Sequence, residues 1–167
     1  MVGEEPERNV VIVHPARDNP VVKATKAVTI LLMLISVALM LIVAIGGWSL
    51  LLGMKPVLLG FVIVYLILAY YAARWNRGVL PVVSALAIML LIFAAVSGPE
   101  WIARDKTGFA SASIPSDLLG LLTLLIIPVQ VLLIAFAMRG FSQEWHVEVE
   151  QPGEGGYAYG GADPATA

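Results

Sequence analysis

The chain has 167 residues, 59% hydrophobic and 13% charged, with a formal net charge of -2, two histidines and no cysteine. Soluble domains average roughly 45–50% apolar and about 25% charged residues, so this is the composition of a membrane protein. It offers no basic footprint for nucleic acid, and without cysteine it has no disulfides, thiolate metal sites, iron-sulfur clusters or catalytic thiols.

Four uncharged stretches organise the chain: 28 residues between Lys26 and Lys55, 18 between Lys55 and Arg74, 22 between Arg77 and Glu100, and 21 between Asp117 and Arg139. A bilayer core about 30 Å thick is crossed by roughly 17–25 apolar residues in a helix. The stretches lack the period-2 alternation of a membrane β-barrel, and helices satisfy every backbone polar group within lipid. The fold class expected is therefore an all-α integral membrane protein. It is a four-helix antiparallel transmembrane bundle with a short outer interfacial helix and polar tails.

Residues 1–26 read as a polar cytoplasmic leader, too long and too acidic for a cleaved secretory signal. The first span is expected over about 27–47, closed by Gly46, Gly47 and the interfacial Trp48. A tight apolar connection leads to the second span, about 57–73. The short basic link from Arg74 to Gly78 then forces a helical hairpin into the third span, about 79–96. The loop from Ser97 to Ser116 predicts a short surface helix, with Pro99 in its first turn, Glu100 and Arg104 at i,i+4 spacing, and Trp101 and Ile102 on the bilayer surface. Ser116 is expected to cap the fourth span, about 118–138, with Asp117 in its first turn. In the tail, 139–167, Trp145 to Val149 has strand patterning, as does Val10 to Val13 in the leader. A small two-stranded ribbon between these runs is expected, with disorder of both tails as the alternative, and residues from about 151 read as disordered.

Basic residues set the orientation. With the N-terminus inside, Arg8, Arg17, Lys23, Lys26, Arg74, Arg77 and Arg139 fall on the inner side, against Lys55, Arg104 and Lys106 outside. That asymmetry puts both termini in the cytoplasm. Trp48, Trp75, Trp101 and Trp145, each near a span end, form an aromatic belt in this reading. Arg17, Lys23, Lys26, Arg74, Arg77 and Arg139 are candidate contacts for anionic lipid headgroups, a role that topology alone would also require.

No Asp, Glu, Lys, Arg or His lies within the expected spans. Proton relays and voltage sensors place such groups in the membrane despite the cost, so ion-coupled transport is disfavoured. The spans do contain Ser36, Tyr65, Ser84 and Gln130 near mid-depth, one in each helix. They form a candidate polar layer, read as interhelical hydrogen bonding in preference to a substrate site. Pro128 predicts a kink beside Gln130. Ser116, Thr123, Gln130 and Ala137 recur every seven residues, as do Gly53 and Gly60, a spacing of small and polar residues that marks close helix approach. His14 and His146 read as surface residues. No metal site, catalytic residue or cofactor is expected, since no GxSxG, HExxH or phosphate-loop pattern occurs.

The function expected is that of a non-catalytic accessory or assembly subunit of a larger membrane complex, with membrane lipids and other membrane subunits, hetero- or homo-oligomeric, as partners. The alternative is a small transporter or channel protomer for a neutral or hydrophobic solute. A membrane enzyme would have to rely on outer-loop acids such as Glu100 and Asp105.

Overall fold

Asn19 and Pro20 open the first helix in the computed structural model of the chain, which describes residues 10–13, 19–51, 53–104, 112–143, 145 and 149–152. The Asn19 side chain accepts a hydrogen bond from the Val21 amide at 2.9 Å, and Pro20 sits where a helix needs no amide donor. Helix α1 runs Pro20–Gly46, two turns earlier than the first uncharged residue suggests. Lys23 and Lys26 do not delay it: Lys23 in the first turn is exposed and its methylene stem can lie along the helix, while Lys26, half-buried, turns its ammonium onto the end of the second helix.

Helix α2 spans Lys55–Ala73 and ends at a turn where Trp75 adopts φ 63°, the left-handed region costly to a residue with a Cβ. A 3-10 turn, Arg77–Val79, is held by the Asn76 side chain accepting from the Gly78 amide at 3.0 Å and leads into α3, Leu80–Ala103. Helix α4 is Ser116–Ser142 and runs through Pro128 as one element. All four helices are long and apolar enough to cross a membrane.

Several sequence expectations give way here. Among the described residues no separate surface helix begins at Pro99; α3 carries Pro99 within it and reaches Ala103. Burial explains the extension. Ala87, Leu90, Ala94, Gly98 and Trp101 are all buried at helical spacing, and this face continues past the proline. Trp101 is accordingly buried rather than spread on the bilayer surface, whereas Ile102 is exposed. Ser116 is the first residue of α4 and makes no cap bond. Pro115 takes the cap position, and Asp117 accepts from the Leu118 amide at 2.8 Å.

Where α1 and α3 meet α4, early residues of one helix touch late residues of the other. Thr25, Ser36 and Gly46 of α1 meet Gln143, Gln130 and Leu119 beside or within α4. Leu80 and Gly98 of α3 meet Gly140 and Leu124 of α4. Contacts are densest between α3 and α4, follow between α4 and α1 and between α1 and α2, and are sparse between α2 and α3. The spatial order is thus α2, α1, α4, α3, with a weakly closed seam between the first and last.

Small residues make the α3–α4 approach close. A Cβ on Gly98 would lie 2.5 Å from the Leu124 side chain, and one on Gly120 would lie 2.5 Å from the Ile102 side chain and 3.0 Å from the Gly98 carbonyl oxygen. At Gly53 and Gly60, in contrast, a Cβ would meet nothing within 4 Å, so their seven-residue spacing marks no helix contact; Gly53 instead takes a turn with φ 55°. The outward surface is apolar, with Leu31, Ile63, Ile92 and Leu121 more than half exposed. Such a surface is unfavourable in water and suited to lipid.

Val10–Val13 pairs antiparallel with Val149–Pro152, Val13 opposite Val149 and Val10 opposite Pro152. The second strand therefore starts where the alternating pattern of Trp145 to Val149 ends. Trp145 lies in a turn and is fully buried, its ring edge-on to Trp75 at 5.6 Å. Packing on Trp75 and beside Gly140 withdraws this indole from both a strand and an aromatic belt.

Candidate functional site

Gln130 lies at the centre of the bundle, on the buried stripe of α4 that includes Ser116, Thr123 and Ala137. An amide in this position is costly unless bonded, and both of its ends are. Its Oε1 accepts from the Tyr65 hydroxyl of α2 at 2.8 Å, and its Nε2 donates to Ser36 Oγ of α1 at 2.8 Å. The Ser36 hydroxyl in turn donates to the Leu32 carbonyl at 2.8 Å. Three helices are tied by one chain of donors, Tyr65 to Gln130 to Ser36 to backbone, with all three side chains no more than 1% exposed.

Ser84, the fourth expected member of this layer, stands apart. It is buried but donates to the Leu80 carbonyl of its own helix at 3.2 Å. Helix α3 is joined to the bundle by the glycine crossing with α4, and no hydrogen bond links it to the central chain among the described residues.

The basic residues divide similarly. Lys23, Lys26, Arg74, Arg77 and Arg139 are gathered at one end of the bundle, where Thr25, Leu80 and Gly140 meet. Lys26 Nζ donates to the Ala73 carbonyl at 2.7 Å, capping the end of α2, and sits 3.8 Å from the Trp75 ring centroid. Arg74 donates to the Tyr70 hydroxyl at 3.4 Å, and Arg77 lies 5.6 Å from the Phe141 ring. Lys23 and Arg139 are exposed. Arg17 and both histidines lie outside the described residues.

At the opposite end, two adjoining cavities occupy the α2–α3 seam. The inner one, about 100 Å³, is walled by Met40 and Val43 of α1, Phe61 of α2, Ala94 and Trp101 of α3 and Ile126 of α4, among others. The second, about 130 Å³, shares Leu51, Met54, Ser97 and Trp101 with the first and adds Leu50, Glu100 and Arg104. The inner wall is almost wholly apolar, while the outer one carries two opposite charges one helical turn apart.

Sequence reasoning locates Gln130, Tyr65 and Ser36 by type and depth. It misses the cavity, because the gap arises from how weakly α2 and α3 close. It also misses Gly98 and Gly120 as contact points, although Ala94 with Gly98 and Ser116 with Gly120 are small residues four apart, the spacing that lets helices approach in lipid.

The chain matches no family model, and neither curated proteins nor solved structures show a similar one.

Proposed function

We propose that the protein is a non-catalytic membrane scaffold, an accessory or assembly subunit of a larger membrane complex, built as an antiparallel bundle of four spans. The observation that carries this reading is the central hydrogen-bond chain. Gln130, Tyr65 and Ser36 satisfy one another across α1, α2 and α4, so these three polar groups hold helices together. A path for a polar solute needs groups directed at that solute, and here Oε1 and Nε2 of the central amide are both engaged within the bundle. The absence of Asp, Glu, Lys, Arg and His from the middle of each helix favours the same reading over ion-coupled transport.

Purification of the full chain in mild detergent, followed by mass spectrometry of co-purifying proteins, tests the proposal. A reproducible heteromeric partner is expected. A homo-oligomer alone, with flux of a defined solute after reconstitution, would replace it with the transporter alternative.

Both termini are proposed to face the cytoplasm, supported by the cluster of Lys23, Lys26, Arg74, Arg77 and Arg139 at one end of the bundle. Single cysteines at Ala112 and Ala162 of the naturally cysteine-free chain report on this directly. An impermeant maleimide on intact cells should label the first and spare the second. Equal labelling of both would reverse the assignment.

A further inference from the structure

The cavity pair in the α2–α3 seam has a direction. Its walls on α1 and α4 are sealed, with Met40, Val43, Thr123 and Ile126 no more than 6% exposed. Its lining residues Met54 and Val57, at the start of α2, and Phe93 of α3 are instead 49%, 42% and 39% exposed. The inner cavity therefore opens sideways between α2 and α3, just above the point where Phe61 and Phe93 meet edge to face at 5.9 Å. A side opening in an apolar surface faces the chains of lipids. Water entering so apolar a space would find few of the two to four polar partners it needs, whereas a hydrocarbon segment gives up nothing.

The outer cavity continues this space toward the helix ends and changes its chemistry. Glu100 and Arg104 lie one turn apart on α3, a spacing of about 5–6 Å between side-chain origins, and Trp101 lines both cavities beneath them. A guanidinium recognises phosphate through paired hydrogen bonds, and a carboxylate attracts an ammonium. A headgroup carrying only negative charge would meet Glu100 as a like charge. One carrying both signs satisfies both residues.

We propose that this seam binds one phospholipid with a zwitterionic headgroup, a segment of one acyl chain in the inner cavity, its phosphate at Arg104 and its ammonium at Glu100. The site is separate from the central hydrogen-bond chain, and it stands or falls independently of the subunit role.

The test is native mass spectrometry of the full chain released from nanodiscs holding equal amounts of phosphatidylethanolamine and phosphatidylglycerol with matched acyl chains. One phosphatidylethanolamine is expected to stay bound at energies that strip other lipids. Arg104→Gln and Glu100→Gln, at exposed positions that leave the fold intact, should each lower its retention about tenfold, the loss expected from removing one charged partner. Ser97→Phe, which fills the wall common to both cavities, should abolish retention while helix content and melting stay unchanged. Release of the protein free of lipid, equal retention of the two lipids, or retention unaffected by these three substitutions would overturn the proposal.

Discussion

Leucine in place of Gly120 is expected to detach α3 from α4 and produce the largest loss of stability of any substitution proposed for this chain. The Cβ alone would stand 3.0 Å from the Gly98 carbonyl oxygen and 3.2 Å from the Ile102 amide nitrogen, backbone atoms that cannot rotate aside. Overpacking costs typically about 1–3 kcal/mol when side chains can yield, and at this crossing the helices themselves must separate, so about 3 kcal/mol or more is expected. The loss should appear as earlier unfolding in a denaturing-detergent titration followed by helix content. Gly60→Leu is the matched control. Its Cβ meets nothing within 4 Å, and leaving glycine in a helix interior gains roughly 0.5–1 kcal/mol, so its midpoint should hold or rise. Equal destabilisation by the two substitutions would remove the glycine crossing as the basis of the α3–α4 contact.

That contrast also shows where the sequence is readable. The four helices are legible because length without charge is a one-dimensional property, and the bilayer makes it decisive. Helix ends are less so. Lys23 and Lys26 resemble a boundary by charge, yet both lie inside α1, while the true start is signalled by Asn19 and Pro20. Pro99 resembles a helix start by type, yet burial of Gly98 and Trp101 carries α3 through it. Depth in the membrane predicts Ser36, Tyr65 and Gln130 as partners, since depth follows from counting along each span. Whether a serine turns toward its neighbours or back to its own helix depends on rotation about the axis, which explains why Ser84 bonds to Leu80. The cavity depends on four helices at once and leaves no local trace.

The second large effect is expected at Gln130. Replacement by leucine keeps a side chain of similar size but removes the acceptor for the Tyr65 hydroxyl and the donor to Ser36 Oγ, and so the central hydrogen bonds that connect three helices among the described residues. Interhelical hydrogen bonds in lipid are worth about 0.6 kcal/mol on average and up to about 1.7, and a hydroxyl left buried without a partner adds to the loss. Gln130→Leu should therefore destabilise the bundle by about 0.5–2 kcal/mol while the protein still inserts and folds. Tyr65→Phe separates the two contributions. In the wild-type background it leaves Gln130 Oε1 without its donor and should cost stability. In the Gln130→Leu background it removes an already stranded hydroxyl, so the same change should be neutral or favourable. The double variant is thus expected to lie closer to wild type than the sum of the singles. Additive losses would mean that Tyr65 and Gln130 act separately. Unchanged stability together with abolished flux of a defined solute would show that the polar chain serves passage and not packing, which would promote the transporter reading over the scaffold.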